Sequence, residues 1–498
     1  MTMERLVEEF AGRAEPVNVD LLIGGDEQAA ESGERFDVVS SRDGRVVTRA
    51  AAASLDDALR AANNAAAAFP VWSGLEPGRR RHILSTAADL VARYSERLVE
   101  VIVRETGTTR NWARFNCEMA EQFLRDAAAT VTYVRGESVP SDLKSSWSLV
   151  QRTPVGVVLG MAPWNAALLL GVRAVAMPLA CGNTVVLKSS ELCPATHYAI
   201  GAILREAGLP PGALNVISNA PPDAQAIVDG LIAHPAIRRV NFTGSTRVGR
   251  LVALSCAKQL KRCLLELGGK CPLIVLRSAD LDLAADAAVF GAFANQGQAC
   301  MSTERLIIDN AVAETLIGKI HERASALNGG PMNGLADRIG CLVNHEASRR
   351  ALSLVDDAVS KGAKLILGGQ VHESTMEATL LDGVHSGMRI YHEESFAPIL
   401  PIIRVSSPEE AVTIANDTEY GLAAAVFTSD MAEAIRLSRQ IETGVVQING
   451  PTIHDEAQIP FGGVKSSGYG RFGGWAGIDE FTELRWVSVH EEPRKFGI

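Results

Sequence analysis

The alternation of short apolar segments with helical segments through the middle of the chain most constrains its fold. Residues 156–160, 184–188, 214–218 and 239–242 are apolar and rich in β-branched side chains, and a helical pattern covers residues 195–206. Strands separated by helices pair in parallel as βαβ units. The sequence therefore predicts an α/β fold built on a parallel sheet.

A second α/β series begins after the pair Gly268-Gly269. Its first members are a strand over residues 272–276, a helix over 284–293 and a strand over 304–308, and it continues to about residue 474. A chain of 498 residues is too long for one hydrophobic core. We therefore expect two α/β domains with the Gly-Gly pair as the hinge.

Two helices are predicted before the first series. Residues 54–69 form one of them, because Ser54 can cap it, Asp57 completes a capping box and Pro70 is expected to follow its end. Apolar residues at helical spacing predict the other helix over about residues 79–105.

Composition and charge exclude several classes of protein. A net charge of −10 argues against a nucleic-acid partner, which needs a basic face. Residues 1–20 lack the long apolar run of a secretory signal and carry glutamates that a transit peptide avoids. The most apolar stretch, residues 166–187, contains Arg173, Pro178 and Asn183 and fails as a membrane span. The eight cysteines lack metal-ligand spacing, so we expect reduced thiols, no metal site and a cytoplasmic protein.

A loop between a predicted strand and a predicted helix is a candidate pyrophosphate site. Its sequence is Gly244-Ser245-Thr246-Arg247-Val248-Gly249. Glycine lets the backbone approach an anion, and a helix N-terminus offers free N–H groups and the positive end of its dipole. The loop is not the G-x-G-x-x-G fingerprint, so a tight turn without a ligand is an equal alternative.

Two residues have the surroundings of catalytic groups. Cys300 follows a polar, glycine-containing segment, which suits a partly exposed thiolate nucleophile, whereas the other seven cysteines lie in apolar or helical contexts. Glu266 is flanked by leucines, and an apolar site raises the pKa of a carboxyl so that it can accept a proton from water near neutral pH. The alternative for Glu266 is a salt-bridged strand residue.

Six blocks of sequence carry a resemblance to a known family. They are Ala162-Pro163-Trp164-Asn165, Phe242-Thr243-Gly244-Ser245, Leu265-Glu266-Leu267-Gly268-Gly269-Lys270, Gly297-Gln298-Ala299-Cys300, Glu393-Glu394-Ser395-Phe396 and Pro460-Phe461-Gly462-Gly463. In this order they resemble the aldehyde dehydrogenase superfamily from about Asp20 to the C-terminus. The resemblance implies a Rossmann-like NAD-binding domain (20–138 and 156–268), a catalytic α/β domain (269–474) and a small β segment for oligomerisation (139–155 and 480–498).

The resemblance also implies the roles of the catalytic residues. Cys300 would attack the aldehyde carbon, and the side chain of Asn165 with the Cys300 backbone N–H would hold the resulting oxyanion. Hydride transfer to NAD would leave a thioester, which water activated by Glu266 would hydrolyse. Relatives that pass the acyl group to coenzyme A typically lack this base, so Glu266 favours hydrolysis.

Family positions for the cofactor map onto eight residues. Lys188 and Glu191 correspond to the adenosine ribose, Gly244, Ser245 and Gly249 to the pyrophosphate loop, Glu394 and Phe396 to the nicotinamide ribose and ring, and Trp164 belongs to the same set. A carboxylate at Glu191 would repel a 2′-phosphate, so NAD is favoured over NADP, although Lys188 weakens this preference. The chain departs from the family at Ala397, where glycine is usual, and over residues 219–230, which lack a glycine-rich stretch.

The predicted substrate is an aromatic aldehyde. Residues 171–174, 449–458 and 468–474 resemble the bacterial salicylaldehyde and vanillin (benzaldehyde-type) dehydrogenases. Arg173 could line the substrate tunnel and meet a phenolic oxygen or a ring, and a structural ion pair is an equal alternative. Trp112 could form an aromatic wall of the tunnel or anchor the core. His454 could contact a ring substituent or face solvent.

The sequence is also compatible with other functions. A semialdehyde or aliphatic aldehyde dehydrogenase would share the mechanism, with Arg173 pairing with a substrate carboxylate. A coenzyme-A-acylating enzyme is disfavoured by Glu266. A non-catalytic protein of this fold is expected to lack a catalytic residue, and Cys300, Glu266 and Asn165 are all present. The strand pattern of residues 483–490 resembles the family's C-terminal strand, which extends a neighbouring subunit's sheet, and implies a homodimer or homotetramer.

Overall fold

An eight-stranded sheet forms the first half of the fold, as seen in a computed structural model that describes residues 16–329, 338–493 and 496. Its strands lie in the spatial order Gly468–Tyr469, Arg262–Glu266, Ile237–Thr243, Val157–Met161, Thr184–Lys188, Leu214–Ile217, Leu21–Ile23 and Asp26–Gln28. The five strands from Arg262–Glu266 to Leu214–Ile217 are parallel, and the strands at both edges pair antiparallel. The predicted parallel sheet is confirmed.

A seven-stranded sheet forms the second half. Its order is Lys364–Leu367, Thr379–Asp382, Ile399–Val405, Thr303–Asp309, Cys271–Val275, Ala423–Phe427 and Val445–Ile448. All neighbours are parallel except the first pair. The chain leaves the first sheet at Glu266 and enters the second at Cys271, so the predicted Gly-Gly pair lies at the crossing between the two sheets.

Three smaller sheets complete the strands. They are Val17–Val19 with Val46–Ala51 and Arg35–Val39, the pair Val371–His372 and Thr375–Met376, and Thr482–His490 with Ser146–Pro154 and Glu137–Pro140. The last of these is antiparallel and confirms the strand predicted in the tail. Trp486 in this sheet is 73% exposed and Leu484 is 62% exposed, so one of its surfaces is apolar and open to solvent.

Helices cover both faces of the two large sheets. Those around the first sheet are Leu55–Ser73, Pro77–Thr106, Arg110–Thr130, Ala167–Ala180, Pro194–Glu206, Ala224–Ala233 and Thr246–Lys258. Those around the second are Leu281–Phe293, Ala313–Asn328, His345–Ser360, Arg389–His392, Pro408–Asn416 and Met431–Ser438, and Gly474–Glu480 precedes the last strand. Among the described residues, none of the helices has both the length and the apolar character that a bilayer crossing requires.

Alternating side chains on each strand divide the core between the two faces of its sheet. Val158 and Val185 belong to one buried cluster of the first sheet, and their neighbours Leu159 and Val186 belong to another. This period of two is the geometry of a pleated strand buried on both faces. It explains why these strands read as continuous apolar runs in the sequence.

Helix Leu55–Ser73 confirms the predicted start and corrects the predicted end. The Ser54 hydroxyl accepts from the Asp57 N–H at 3.1 Å, and Asp57 Oδ2 accepts from the Ser54 N–H at 3.0 Å. The expectation that Pro70 follows the helix was wrong, because Pro70 lies inside it. Trp72 is fully buried and donates its indole N–H to the Leu179 carbonyl at 3.1 Å. The burial of Trp72 stabilises the last turn of the helix and compensates for the backbone hydrogen bond that Pro70 cannot donate.

A buried carboxylate fixes the start of the helix Pro194–Glu206. Glu105 Oε1 accepts from the Ala195 N–H, and Oε2 accepts from the Thr196 N–H, both at 2.9 Å. These are N–H groups of the first turn of Pro194–Glu206, which lack partners within that helix. A carboxylate there also complements the helix dipole. Burial nevertheless raises the pKa of Glu105 to about 7.

Candidate active site

The site lies where strands of the first sheet end, facing a turn from the second half. Glu266 is the last residue of Arg262–Glu266 and is paired in register with Thr243, the last residue of Ile237–Thr243. Asn165 lies shortly after the end of Val157–Met161. Parallel strands point their carboxyl ends to the same edge, and ligands of open α/β sheets bind there.

Cys300 follows a turn with an unusual backbone. Asn295 and Gln296 have φ values of 49° and 59°, and Gly297 has φ 71°. A Cβ atom at Gly297 would lie 2.1 Å from the Ala397 carbonyl oxygen, so only glycine fits. Left-handed residues of this kind cost free energy and persist where neighbouring contacts enforce them, often at functional sites. Cys300 is half-buried, whereas the other seven cysteines are buried.

Asn165 is held in place by hydrogen bonds on both its side chain and its backbone. Its Nδ2 donates to the Gln298 carbonyl at 3.0 Å. Its carbonyl accepts from the indole N–H of Trp112 and from Asn295 Nδ2, both at 2.8 Å. Since an amide carries two N–H groups, the second remains for an oxyanion formed next to Cys300. Trp112 is buried, and its hydrogen bond fixes the backbone of Asn165.

Glu266 is fully buried and has one fixed oxygen and one free oxygen. Oε2 lies 3.4 Å from a guanidinium nitrogen of Arg173. Oε1 has no hydrogen-bond partner among the described residues. Burial raises the pKa of the Glu266 carboxyl, and the positive charge of Arg173 opposes that rise. A carboxyl of this kind is suited to accept a proton near neutral pH.

Cys300 shares this environment. Burial raises the pKa of its thiol, and the neighbouring Glu266 raises it further because two anions repel each other. Arg173 acts in the opposite direction. Burial and Glu266 both favour the thiol over the thiolate, so Cys300 has to lose a proton before it can act as a nucleophile.

Arg173 lies between two carboxylates and two rings. Its guanidinium is 3.1 Å from Asp455 Oδ2, opposite its contact with Glu266. It also lies 4.9 Å from the ring centroids of both Phe461 and Phe472. The side chain is 3% exposed. The structure places Arg173 in the ion pair that the sequence left as one of two alternatives.

A cleft of about 500 Å³ opens beside these residues, between the strand ends and the helix Thr246–Lys258. Its lining includes Trp164, Lys188, Glu191, Gly244 and Ser245, all of them sequence-predicted cofactor residues. Lys188 forms an ion pair with Glu191. The lysine and the carboxylate of this lining suit a ligand with both anionic groups and hydroxyls.

The remaining predicted cofactor residues lie outside the lining of this cleft. Gly249 is buried in the helix, where a Cβ atom would meet Leu267 at 2.4 Å, so close packing explains this glycine. Glu394 Oε1 accepts from the Gly269 N–H at 2.9 Å, and burial raises the pKa of Glu394 to about 7. Phe396 packs edge-on against Trp164 with ring centroids 5.9 Å apart.

Comparison with known proteins identifies the family. A model of the aldehyde dehydrogenase family matches residues 28–487. The chain belongs to the aldehyde dehydrogenase family. It is therefore an oxidoreductase acting on aldehydes.

Two relatives and one solved structure are similar over nearly the whole chain. Vanillin dehydrogenase from Pseudomonas fluorescens is 51% identical over 482 residues, covering 97% of this chain and 100% of the relative. Salicylaldehyde dehydrogenase from Pseudomonas putida is 46% identical over 465 residues, covering 93% and 96%. The crystal structure of a salicylaldehyde dehydrogenase from Pseudomonas putida G7 complexed with salicylaldehyde has a TM-score of 0.94 at 43% identity, covering 97% and 100%.

The cleft of this aldehyde dehydrogenase fits a nicotinamide dinucleotide. Both cofactor types occur among its relatives, which include a benzaldehyde dehydrogenase named for NAD(+) and an E. coli enzyme described as NADP dependent. The free N–H groups at the start of Thr246–Lys258 suit a pyrophosphate. Glu191 offers a carboxylate to ribose hydroxyls, and the buried Asn219 Oδ1 next to it lacks a partner among the described residues. The same end of the cleft is lined by four residues from the stretch without the family's glycines: Pro221, Pro222, Ala224 and Gln225.

His454 lies at the surface rather than against the catalytic groups. Its side chain is 46% exposed and pairs with Glu456 at 3.0 Å. Its neighbour Asp455 points inward to Arg173, a role that sequence reasoning missed. Asp455 is separated from Arg173 by 282 residues, so no local pattern could have revealed the contact. Phe461 and Phe472 were also not assigned to the site.

The hydrogen bond from Trp112 to the Asn165 carbonyl predicts that Trp112 affects the reaction rate by positioning Asn165, without contacting the substrate itself. Trp112→Phe removes the hydrogen bond to the Asn165 carbonyl, so kcat for aldehyde oxidation should fall roughly 2- to 10-fold, the worth of one hydrogen bond. Trp475→Phe, at a half-exposed indole, is the matched control and should leave kcat unchanged. Equal kcat values for both variants and the wild type would contradict the positioning of Asn165 by Trp112.

Proposed function

We propose that the chain oxidises an aromatic aldehyde of the salicylaldehyde, vanillin or benzaldehyde type to its carboxylic acid, with NAD as the cofactor. The observation that carries the proposal is the convergence of Cys300, Asn165 and Glu266 at the strand ends, next to Trp164 and Thr243, which line the cleft. The relatives named for vanillin and salicylaldehyde, similar over the full length, support the aromatic class.

The residues divide the chemistry into two stages. Cys300 attacks the aldehyde carbon while its proton passes to a nearby base, and Asn165 donates to the oxygen that becomes negative. A nicotinamide dinucleotide bound in the cleft would supply the acceptor for the hydride that leaves this carbon. Water then attacks the resulting thioester as Glu266 takes its proton, the C–S bond breaks, and the sulfur of Cys300 is released and reprotonated.

Two alternatives have less support. A semialdehyde would place a carboxylate near Arg173, but that guanidinium already has Glu266 and Asp455 as partners. A third carboxylate there would add like-charge repulsion in a buried site. Transfer of the acyl group to coenzyme A does not need a base for water, whereas Glu266 is present and has a free oxygen.

NAD rather than NADP is proposed on the charge at the ribose end of the cleft. Glu191 keeps its carboxylate at the cleft surface, where it accepts from Lys188 and Asn219. Because the lysine charge is shared with Glu191, a 2′-phosphate would meet a carboxylate rather than an unpaired cation.

The proposal is tested by initial rates of NADH formation with salicylaldehyde, vanillin, benzaldehyde, hexanal and succinate semialdehyde. We expect kcat/KM to be higher for the aromatic aldehydes, and higher with NAD than with NADP. Cys300→Ala should abolish turnover. Cys181→Ala should retain it, because this buried thiol lies just before the amino end of the interior strand Thr184–Lys188, whereas the site lies at the carboxyl ends of the strands. Higher kcat/KM for hexanal or succinate semialdehyde would contradict the aromatic class.

We further propose that the chain divides into the domains predicted above and forms a homodimer or homotetramer through the sheet Thr482–His490, Ser146–Pro154 and Glu137–Pro140. Glu137–Pro140 is an edge strand, which can pair with another chain. Trp147, Leu484 and Trp486 expose apolar surface on the same sheet, as an interface would. Light scattering should give two or four times the monomer mass, and a monomer would contradict this proposal.

A further inference from the structure

Arg173 occupies a position where a charged group is costly to bury. All residues of its helix, Ala167–Ala180, are buried, and its two ring neighbours offer cation–π attraction but no countercharge. An ion pair in such a place adds little net stability compared with apolar side chains of similar volume. Fold stability alone therefore gives little reason for this guanidinium. The contact between Arg173 and Glu266 indicates a role in the reaction instead.

The two oxygens of Glu266 have different environments because of Arg173. Oε2 faces the guanidinium at 3.4 Å, whereas Oε1 has no hydrogen-bond partner among the described residues. The contact fixes one oxygen and leaves the other to accept a proton. Arg173 is itself held by Asp455 at 3.1 Å and by the faces of Phe461 and Phe472.

We propose that Arg173 is a positioning residue for the general base: it holds Glu266 in place beside Cys300 and keeps it anionic for hydrolysis of the thioester. This inference rests on the proposed function, because it concerns the second stage of that mechanism. Arg173 itself does not touch the reacting atoms. In that stage, water adds to the thioester carbon, Oε1 of Glu266 takes its proton, and the sulfur of Cys300 leaves.

The side chains packed around Glu266 together determine how readily its carboxyl ionises. Arg173 comes from the helix Ala167–Ala180, Cys300 from the turn after Leu281–Phe293, and Asp455 from the loop after Val445–Ile448, while the polar Thr243 lies on the neighbouring strand. One cation serves two carboxylates, so the two carboxylates compete for it. Consistent with this, burial and the nearby Glu266 raise the pKa of Asp455 to about 6, while Arg173 opposes the rise.

Removal of Arg173 and removal of its partner Asp455 should shift the pH dependence of kcat in opposite directions. Arg173→Met leaves Glu266 without a cation, so its pKa rises and the rising limb of the kcat–pH profile shifts to higher pH by about 1 to 3 units. Asp455→Asn removes the competing anion and keeps a hydrogen-bond acceptor, so the limb should shift to lower pH. Arg173→Lys retains a positive charge and should recover most of the wild-type profile.

Pre-steady-state kinetics show which stage of the reaction, acylation or hydrolysis, depends on Arg173. With Arg173→Met, acylation continues and hydrolysis slows, so a burst of NADH of about one equivalent per active site should precede a steady-state rate lowered roughly tenfold or more. Glu266→Gln should give the same burst and serves as the reference. A rise in KM with an unchanged kcat and no burst would instead assign Arg173 to substrate binding and overturn the proposal.

A second assay separates this inference from the proposed function. An activated ester such as p-nitrophenyl acetate acylates the cysteine without aldehyde or NAD, so its hydrolysis tests the base alone. Arg173→Met should release a burst of p-nitrophenolate and then turn over slowly, with the same pH shift, even if no tested aldehyde is a substrate. Burst and steady state that fall in parallel, or unshifted limbs in both Arg173→Met and Asp455→Asn, would overturn the role of Arg173.

Discussion

A fully buried carboxylate at the end of a strand requires a compensating charge, and the ion pair between Glu266 and Arg173 meets this requirement. The rest of the catalytic region is arranged around this pair. Helix Ala167–Ala180 is buried throughout and carries the guanidinium inward, while the loop bearing Asp455 and the rings of Phe461 and Phe472 closes around it. Glu266 is thus fixed beside Cys300 without being exposed to solvent, as its proposed role of general base requires.

A second network holds Cys300 and Asn165, the proposed nucleophile and the proposed oxyanion donor, close together. The left-handed turn before Cys300 is tied to Asn165 through Asn295 Nδ2, and Asn165 returns a hydrogen bond to the Gln298 carbonyl. Trp112 adds a third support from the helix Arg110–Thr130. Strain in the turn and these hydrogen bonds favour one arrangement of the two catalytic groups, which is the condition for stabilising charge as it forms.

Local patterns in the sequence predicted most of the fold, and long-range contacts account for what they could not predict. The strands around Val158, Val185 and Ile274 were located to within a residue or two, because strands buried on both faces have continuous apolar runs. The end of Leu55–Ser73 was misplaced because the burial of Trp72 outweighs a local proline signal. The partners of Arg173 come from strand ends and loops far along the chain, so its ion pair could be named only as one alternative. The catalytic roles came from the resemblance to a family, and the surroundings of Cys300 and Glu266 in the structure are compatible with them.

The covalent intermediate on Cys300 is the central claim, and trapping it is the most direct measurement. Glu266→Gln is mixed with NAD and benzaldehyde, quenched in acid and digested, and the peptide that contains Cys300 is weighed by mass spectrometry. The mechanism predicts one benzoyl group on that peptide, absent when NAD is omitted and absent in Cys300→Ala. An unmodified Cys300 peptide in a sample that has formed NADH, or a benzoyl group on another residue, would contradict it.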